Sequence, residues 1–373
     1  MEQEFVPVTL IIEPDPGGHR FQYVSHVVGL AAQLGDVVLL TSAGASTSAE
    51  FETYLAGAPI KVDERFEEIY PPTAEFVAAI ADYCTTADVA TVFVMDADKS
   101  LKRWWQLAPK RLRALPKRPK IVFLLTRYPA RLSPLDRIGL MHRVAKASLS
   151  LAAMASGSLH RVVSLAGRDD MGKGTIVKLV RDPAICSAHA RDRFAIRESL
   201  GLPRDRQLVG IFGVISDRKN VPLVAAALRR AAPDAQLLLA GSMDPDVAAW
   251  LQSRPAAERE AIRVYEGFLS NETLDLLVAA ADVVVIAQNN NGPSGIMGKA
   301  VAAGVPVLSA GSKVRARELA ALDAGLNAEL DAESVAAALR ELLAGTRIGA
   351  RADALALPTA QTFATTMFGR FGR

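Results

Sequence analysis

The feature that most constrains the fold is an alternation of short apolar runs with helical segments, and residues 281–308 show it most clearly. Two runs rich in β-branched residues, 283–287 and 305–308, flank a polar, turn-rich loop and a stretch of small residues at 296–303. This order predicts a buried strand, a loop, a helix and the next parallel strand. The loop then lies at the carboxyl end of a strand, where open α/β sheets bind their ligands.

The same loop has the residues of an anion site. Gly292, Ser294 and Gly295 would present backbone N–H groups at the start of the helix. Unpaired donors and the helix dipole favour a negative charge at such a position. Every α/β enzyme contains units of this kind, so the alternation predicts a fold and a ligand-binding edge without identifying a reaction.

Similar units run along the whole chain. The first half has strand-like runs, separated by helical segments, at residues 8–12, 36–40, 90–95, 120–125, 161–165 and 175–180. The second half restarts the pattern, with runs at residues 208–212, 236–240, 262–265, 283–286 and 305–308. The predicted fold class is therefore α/β, with two Rossmann-like domains built on parallel sheets that face a cleft.

The length of 373 residues suits two domains of this kind. The alternation breaks at the Asp182-Pro183 step and a charged helical segment follows it. We therefore expect a first domain at residues 1–183 and a second at residues 184–357. Residues 358–373 are expected to form a last helix that packs back on the first domain.

Composition narrows the classes of function. The 43 basic and 40 acidic residues nearly cancel, so the net charge gives no indication of a nucleic-acid partner. Cys84 and Cys186 lack the spacing of a metal or redox pair, which fits a reducing compartment. The acidic N-terminus lacks the order of an export signal, and no apolar run reaches the about 18 residues that span a bilayer. We expect a cytoplasmic protein whose contact with membranes, if any, is peripheral.

Five stretches of the second half carry a resemblance to a known family. They are GVISDRKN at residues 213–220, LLLAG at 237–241, YEGFLS at 265–270, ADVVV at 281–285 and, as the strongest match, AVAAGVPV at 300–307. With these stretches the second half resembles glycosyltransferase family four, also called group 1. The two tandem sheets resemble the GT-B fold of nucleotide-sugar glycosyltransferases, and the first half matches mainly through Gly17 and Gly18.

The resemblance implies a hexosyltransferase whose co-substrate is a nucleotide diphosphate sugar, with a UDP-sugar favoured, and whose product retains the anomeric configuration. The donor would bind mainly to the second domain, and the first domain would receive the acceptor. Expected acceptors are an envelope glycolipid, a polysaccharide intermediate or a natural product. No further cofactor and no metal are expected. Apart from Asp96 and Asp98, no Asp-x-Asp pattern stands at a convincing place for a metal loop, and this pair follows the wrong strand for a GT-B donor site.

Carried over by position, the resemblance assigns Lys219 to the donor diphosphate, as a catalytic and binding residue. An ammonium group there stabilises the charge that grows on the leaving phosphate. Gly213 belongs to the same loop, and Arg218 is expected to supply a second positive charge where Val214 replaces the family's usual arginine. The alternative for Lys219 is a solvated lysine at a helix start, where the helix dipole disfavours a cation.

The sequence departs from the family where it usually has two glutamates, because Asn291 and Lys299 occupy those positions. Asn291 is expected to bind a sugar hydroxyl through its amide, as a catalytic residue, while Lys299 would contact a phosphate or a different acceptor. Contacts to the nucleobase are expected near Gly267 and Phe268. The missing carboxylates favour one alternative, a catalytically silent GT-B-like protein that binds nucleotides. A second alternative is a sugar-nucleotide epimerase of the same two-sheet architecture, which would need carboxylate acid/base pairs.

Gly17, Gly18 and His19 are expected to form the opposite wall of the site, in the first domain. Glycines let the backbone approach a ligand closely. The imidazole of His19 is a candidate catalytic acid or base, or a group that orients the sugar. A helix cap or an ordinary surface histidine is the alternative for this position.

Residues 99–168 are strongly basic. They contain sixteen Lys or Arg residues and a single acid, Asp136. Trp104 and Trp105 lie among the cations, and a basic amphipathic helix is expected at residues 134–154, capped by Ser133. Such segments bind anionic lipid surfaces. We therefore expect this face to receive an anionic acceptor or a membrane that carries a lipid-linked one; the alternative is a helix that packs its apolar side on the sheet and leaves its cations solvated.

Overall fold

A computed structural model of the chain describes residues 6–130, 136–170, 174–188, 191–290, 292, 294–345 and 357–369. The chain divides into two compact units. Unit 1 consists of Met1–Ala166, Asp170–Arg181 and Thr359–Arg373, and unit 2 of Gly167–Asp169 and Asp182–Pro358. The three residues Gly167–Asp169 thus belong to unit 2, although a strand of unit 1 comes directly before them.

The described residues of unit 1 form a sheet of seven parallel strands. These strands are β1 (Val8–Ile12), β2 (Asp36–Ser42), β3 (Lys61–Phe66), β4 (Val89–Val94), β5 (Lys120–Leu125), β6 (Arg161–Ala166) and β7 (Val177–Arg181). Their order across the sheet is β3-β2-β1-β4-β5-β6-β7, and all neighbours pair in parallel. From β1 to β3 the strands are added towards one edge of the sheet, and from β4 to β7 towards the other. The reversal point of the sheet therefore lies between β1 and β4.

Helices connect these strands and cover both faces of the sheet. They are α1 (Arg20–Ala32), α2 (Ala49–Tyr54), α3 (Thr73–Thr86), α4 (Leu101–Arg113) and α5 (Arg137–Ala155), with one turn of 3-10 helix at Ala45–Thr47. Side chains alternate between the two faces of a strand. Leu10 accordingly packs in the cluster that contains Ile80 of α3, whereas Ile11 packs in the one that contains Phe21 of α1.

The described residues of unit 2 repeat the arrangement with six parallel strands. They are β8 (Leu208–Phe212), β9 (Gln236–Gly241), β10 (Ile262–Glu266), β11 (Val283–Ala287), β12 (Val307–Ala310) and β13 (Gly325–Ala328), in the order β10-β9-β8-β11-β12-β13. The helices are α6 (Arg193–Ser199), α7 (Val221–Ala231), α8 (Pro245–Gln252), α9 (Ala256–Glu260), α10 (Asn271–Ala280), α11 (Gly295–Ala302), α12 (Lys313–Leu322) and α13 (Ala332–Leu343), with a 3-10 turn at Asp217–Lys219. The order in which strands are added to the sheet reverses between β8 and β11.

A last helix, α14 (Ala360–Phe368), belongs to unit 1. The ring of Phe363 stacks on that of Tyr23, with 5.6 Å between centroids, and Phe368 meets Phe93 edge-on at 4.8 Å. Aromatic pairs in these geometries stabilise beyond the area they bury. The helix begins with a capping box between Thr359 and Thr362, which fixes its start.

Two strands that the apolar pattern does not predict, β3 and β13, lie at the edges of their sheets. Most residues of β3 are partly or fully exposed, so this strand carries charged side chains instead of an apolar run. An edge strand has one neighbour and tolerates polar residues. The strand expected at residues 305–308 starts two residues later, at Val307.

The helix expected at residues 134–154 begins later than its sequence indicates. α5 starts at Arg137, and the side chain of Asp136 caps it by accepting a hydrogen bond of 2.9 Å from the backbone N–H of Gly139. Ser133, the expected cap, lies outside the described residues. Across the described ranges, every helix is too short or too polar to cross a bilayer.

Candidate functional site

The neighbouring strands β8 and β11 mark the reversal point of the unit 2 sheet. Val283 pairs with Val209, and Val284 with Gly210. The connections that leave these two strands run in opposite directions, which opens a crevice beyond their carboxyl ends. The loop 213–220 follows β8, and residues 288–290 follow β11, so Gly213, Arg218 and Lys219 lie at that edge.

The turn that carries Lys219 spans this reversal point. The Lys219 ammonium donates a hydrogen bond to the carbonyl of Phe212, at the end of β8. The side chain of Asn220 donates across to the carbonyl of Ala287, at the end of β11, over 2.8 Å. Asn220 itself adopts a left-handed conformation, with φ of 51°. The turn is therefore attached to both strands at the position that a ligand would approach.

Burial and, to a smaller extent, the positive charge of Arg218 together lower the pKa of Lys219 to about 8. Desolvation penalises the charged form of an amine that has no carboxylate close by. An anion at the strand ends would offset that penalty and raise the pKa of Lys219 again. Arg218 is exposed beside Lys219, and so both cations that the sequence assigns to this loop lie at the same edge.

Glycines bring the loops of this edge close together. Gly213 has φ of 85°. A Cβ at Gly241, after β9, would lie 2.1 Å from the Gly213 carbonyl oxygen, so only glycine fits there. The backbone N–H of Gly267 donates to the Gly241 carbonyl over 3.2 Å. The next residue, Phe268, has 45% of its surface exposed. Gly267 and Phe268, expected near a nucleobase, thus follow β10 at the same edge.

The loop after β11 leads into α11. Ser294 is the N-cap of this helix, and its hydroxyl accepts a hydrogen bond of 3.3 Å from the backbone N–H of Met297. Gly295 is the first helical residue, and the space around Gly292 is open on the side where a Cβ would point. Since the first four N–H groups of a helix have no partner within it, this end of α11 can receive an anion. Asn291 lies outside the described residues.

Lys299 lies inside the unit. It is 4% exposed, and its ammonium binds the carboxylate of Asp275 at 2.5 Å and the side-chain oxygen of Asn271 at 3.2 Å. Asp275 also accepts hydrogen bonds from the backbone and hydroxyl of Ser187, at 2.8 and 2.9 Å. The charge of Lys299 is therefore held by the protein's own carboxylate, which ties α11 to α10.

Sequence reasoning did not identify Arg315 of α12. Its side chain is fully buried and donates hydrogen bonds to the loop that follows β11. Burial lowers its pKa to about 10, while the carboxylate of Glu318 opposes that shift, so the guanidinium is charged at neutral pH. In the sequence it looks like one of several charged residues on a polar helix, and only Ser312 three positions earlier, the helix cap, indicates where it lies.

The expected residues of the first domain lie at the reversal point of unit 1. Gly17 and Gly18 follow β1, and Gly18 is exposed with φ of 71°. The backbone N–H of Gly17 donates to the Asp15 carboxylate over 2.8 Å. His19 occupies the N-cap position of α1, but its side chain does not cap the helix, so the capping alternative does not apply to its imidazole.

Carboxylates surround Arg20 at this edge of unit 1. Its guanidinium binds the side chains of Asp15, after β1, and Asp96, after β4, the second at 2.9 Å. Glu13 lies 3.9 Å away and is 2% exposed; burial raises its pKa well above the usual value, against the opposing charge of Arg20. Asp96 also accepts a hydrogen bond of 2.6 Å from the Thr126 hydroxyl.

Asp96 and the nearby Asp98 fix the ends of two further strands. Asp96 has φ of 45°, a conformation that non-glycine residues adopt rarely and at a cost. Asp98 accepts a hydrogen bond of 2.8 Å from the backbone N–H of Thr126, after β5, and its carboxylate binds Lys146 of α5. The pair is therefore built into an ion network. In the parts of the chain that the structure describes, no group of three or more His, Cys, Asp or Glu side chains is arranged to hold a metal ion.

The basic stretch 99–168 exposes apolar side chains. Trp104 is fully buried and donates to the Ser158 carbonyl, whereas Trp105 is 41% exposed. α5 buries only the small residues Ser150 and Ala153. Leu149 and Met154 are partly buried against the core of unit 1, whereas five other large apolar residues are at least half exposed: Ile138, Leu140, Met141, Val144 and Leu151. The alternative in which this helix packs its apolar side on the domain therefore holds for Leu149 and Met154 and not for the five exposed residues.

Comparison with known proteins agrees with this geometry. A family model described as glycosyl transferases group 1 matches residues 206–345. Comparison with curated protein sequences gave no match. Among solved structures, HepE from Anabaena in complex with UDP has a TM-score of 0.61 at 17% identity, and the alignment covers 98% of this chain and 96% of HepE.

Two other structures show the same likeness. Sucrose-phosphate synthase from Thermosynechococcus elongatus has a TM-score of 0.62 at 17% identity, covering 97% of this chain and 94% of the synthase. WaaG, a glycosyltransferase involved in lipopolysaccharide biosynthesis, has a TM-score of 0.54 at 15% identity, with 98% and 96% covered. These likenesses show the fold, so the predicted GT-B architecture with two parallel-sheet α/β domains is confirmed.

Proposed function

We propose that this chain, a glycosyltransferase with a glycosyl transferases group 1 domain at residues 206–345, moves a sugar from a UDP-sugar to a glycan or lipid-linked acceptor with retention at the anomeric carbon. Unit 2 binds the donor and unit 1 the acceptor. The observation that carries the proposal is the Lys219 turn, which is attached to the ends of both β8 and β11 at the reversal point of the sheet.

The chemistry of this edge suits a nucleotide diphosphate. Lys219 and Arg218 supply positive charge, and the start of α11 supplies backbone N–H donors. As the bond between sugar and phosphate breaks, negative charge grows on the leaving diphosphate, and a cation already in place stabilises it. HepE was solved with UDP, with UDP and glucose, and with UDP-glucose, which favours uridine as the base for this chain.

The other residues expected from the sequence have different roles in this proposal. Gly213, Gly267 and Phe268 line the path of the nucleoside, and Gly292, Ser294 and Gly295 form the phosphate end. Lys299 acts indirectly, because its pair with Asp275 holds α11 in place. We assign His19, with Gly17 and Gly18, to the acceptor, and Asn291 to a sugar hydroxyl.

Binding and turnover test the proposal separately. In a thermal-shift screen of UDP, GDP, ADP, CMP and dTDP, we expect UDP to stabilise most, by about 2.7 kcal/mol at 100 times its dissociation constant. Incubation with UDP-glucose and related donors should then release UDP when an acceptor is present. Stabilisation by UDP without any turnover would support the silent nucleotide-binding alternative, and no response to any nucleotide would contradict the proposal.

We further propose that the exposed side of α5 contacts an anionic membrane that carries the acceptor. The apolar residues Ile138 and Val144 are 68% and 57% exposed and lie beside Arg137 and Arg143. Apolar insertion together with cations, each worth roughly 1 kcal/mol near anionic headgroups, describes an interfacial helix. WaaG, which shares the fold, is involved in lipopolysaccharide biosynthesis, and this agrees with a lipid-linked acceptor.

Vesicle flotation tests this contact. We expect the protein to float with vesicles of phosphatidylglycerol and phosphatidylcholine but not with phosphatidylcholine alone. The double variant Ile138→Ser, Val144→Ser should lose this binding, whereas Phe194→Ser, which changes an apolar residue 48% exposed in unit 2, should keep it. Binding that ignores lipid charge, or that survives the double variant, would contradict the proposed contact.

A further inference from the structure

We propose that Arg315 is a positioning residue that holds residues 288–290, the described start of the loop after β11, in the conformation in which this edge binds the donor diphosphate. This inference rests on the proposed function, since it assigns the loop to a diphosphate. Arg315 lies on α12, in a different segment from Lys219 and from α11. It acts through the loop's backbone and not by touching the donor.

The contacts of Arg315 are concentrated on this loop. Its Nη1 donates to the carbonyl of Asn290 over 2.9 Å and to the side-chain oxygen of Asn290 over 2.8 Å, and its Nη2 donates to the carbonyl of Gln288. Its Nε donates to the Ser309 hydroxyl over 3.2 Å, at the end of the neighbouring strand β12. One planar guanidinium therefore binds two loop carbonyls and one strand residue at once.

This arrangement fixes the direction of the loop's peptide groups. In the described residues all peptide bonds are trans, and a trans peptide holds its C=O and N–H on opposite sides. Because the Gln288 carbonyl is aimed at Arg315, the backbone N–H of Asn289 points away from the guanidinium. Gln288 itself donates its N–H to the carbonyl of Ala310 over 3.0 Å, which holds the start of the loop.

Two other contacts limit the loop from different sides. Asn220, beside Lys219, binds the carbonyl of Ala287 directly before the loop. Gly311 leaves room for Asn289, because a Cβ at residue 311 would lie 2.7 Å from the Asn289 side-chain oxygen. Among the contacts described for residues 288–290, those of Arg315 reach furthest along the chain, to Asn290, and their loss should therefore release these residues.

A guanidinium suits this task and an ammonium does not. Its donors form a rigid planar fork that can bind several carbonyls at fixed angles, whereas a lysine offers one point charge on a flexible stem. The nearby carboxylate of Glu318 binds another arginine, Arg168, at 3.0 Å, and Arg168 also binds Asp182. The guanidinium of Arg315 directs its Nη hydrogen bonds to the loop's carbonyl oxygens.

The test compares Arg315→Met and Arg315→Lys with the matched control Arg317→Met. Arg317 is on the same helix, is 32% exposed at its side chain and pairs with Asp169 at 2.8 Å. Dissociation constants for UDP and for uridine are measured by titration calorimetry and ligand-observed NMR, with thermal unfolding as the check that each variant folds. UDP reports on the diphosphate contacts and uridine does not.

A positioning role predicts a selective loss. We expect Arg315→Met to weaken UDP by about tenfold or more, which corresponds to about 1.4 kcal/mol, while uridine changes by less than about threefold. Arg315→Lys should fall between Arg315→Met and the native protein, and Arg317→Met should bind UDP normally. A folded Arg315→Met protein that binds UDP normally, or that weakens UDP and uridine equally, would overturn the inference.

If Arg315→Met does not fold, Asn290→Ala replaces it. This variant changes an exposed residue and removes the hydrogen bond between its side chain and Arg315. The buried guanidinium keeps its hydrogen bonds to the carbonyls of Gln288 and Asn290. We expect it to weaken UDP but not uridine, and an unchanged UDP affinity would overturn the inference. Failure of the native protein to bind UDP would be a different result, because it would contradict the proposed function itself.

Discussion

The two units have the same sheet architecture and opposite charge at the corresponding edge. In unit 1 the strands that meet at the reversal point, β1 and β4, are followed by the carboxylates of Glu13, Asp15 and Asp96, with Arg20 among them. In unit 2 the corresponding strands, β8 and β11, are followed by Lys219 and by a loop held from behind by Arg315. The fold supplies the position, and the loops supply the chemistry.

This difference separates two tasks that a glycosyltransferase has to perform. A diphosphate needs cations and N–H donors, which the edge of unit 2 has. An acceptor hydroxyl needs hydrogen-bond acceptors, which the carboxylates of unit 1 offer. The contrast therefore agrees with the proposed assignment of the donor to unit 2 and the acceptor to unit 1, and variants at the two edges should have different consequences.

The largest effect is expected from Arg20→Met in unit 1. The guanidinium is four-fifths buried and joins carboxylates from two strand ends, so its removal leaves buried charges without a partner. We expect a loss of about 3 kcal/mol in the free energy of unfolding, measured with denaturant. The exposed pair of Lys61 and Asp36 is the control, and Lys61→Met should cost at most about 1 kcal/mol. Equal losses of stability in both variants would show that the buried ion pairs of Arg20 contribute no more than an exposed pair, which would contradict the prediction.

Lys219→Met is expected to act on binding in unit 2. Charge-assisted hydrogen bonds contribute about 2 kcal/mol, so the affinity for UDP should fall about thirtyfold. Turnover should fall at least as far, because the lost charge also stabilises the leaving diphosphate. Arg230→Met removes an exposed cation at the last turn of α7 and should leave UDP binding unchanged in the same titration. Similar losses in both variants would indicate a non-specific effect of net charge.

The pH dependence of UDP binding sharpens the role of Lys219. With a pKa of about 8 in the free protein, its ammonium is lost as the pH rises through that value. Above pH 7 we expect the affinity for UDP to fall as Lys219 loses its proton and to level off at about the thirtyfold loss of Lys219→Met, because the neutral amine no longer gives the phosphate a charge-assisted hydrogen bond. Lys219→Met should abolish this dependence, and a native protein whose affinity does not change between pH 7 and 10 would contradict it.

The smallest effect is expected from Glu13→Gln. The contribution of Glu13 to stability changes with pH in the opposite direction from that of Lys219 in unit 2. The folded pKa of Glu13 is raised, so the folded state binds more protons than the unfolded state, and stability falls as the pH rises above the carboxyl's usual value of about 4.3. Lys219 has a lowered pKa, so its contribution to stability rises between about 8 and its unfolded value. Thermal unfolding from pH 4 to 8 should show Glu13→Gln gaining on the native protein. A constant difference would contradict a raised pKa.

Much of the fold could be predicted because most strands are buried and carry apolar runs. β1, β5 and β8 were predicted with their observed bounds. β3 and β13 could not be, because an edge strand is only partly covered and its residues do not form an apolar run. The cap of α5 was misplaced by three residues, since Ser133 and Asp136 both have side chains that cap helices.

The site could be predicted only where one short segment contains it. The Lys219 turn and Ser294 are local features with recognisable residues. The ion pairs are not local: Arg20 and Asp96 are 76 positions apart, and Lys299 and Asp275 are 24 apart. Nothing in a linear pattern distinguishes Lys299, which is buried against a carboxylate, from a lysine that faces a phosphate. The burial of Arg315 likewise depends on carbonyl groups from another loop.

A crystal structure of the chain with UDP would test the central claim most directly. The account predicts the diphosphate at the carboxyl ends of β8 and β11, with a phosphate oxygen within hydrogen-bond distance of the Lys219 ammonium and close to the start of α11. A diphosphate bound at the acidic edge of unit 1, or one in unit 2 that contacts neither Lys219 nor α11, would contradict it.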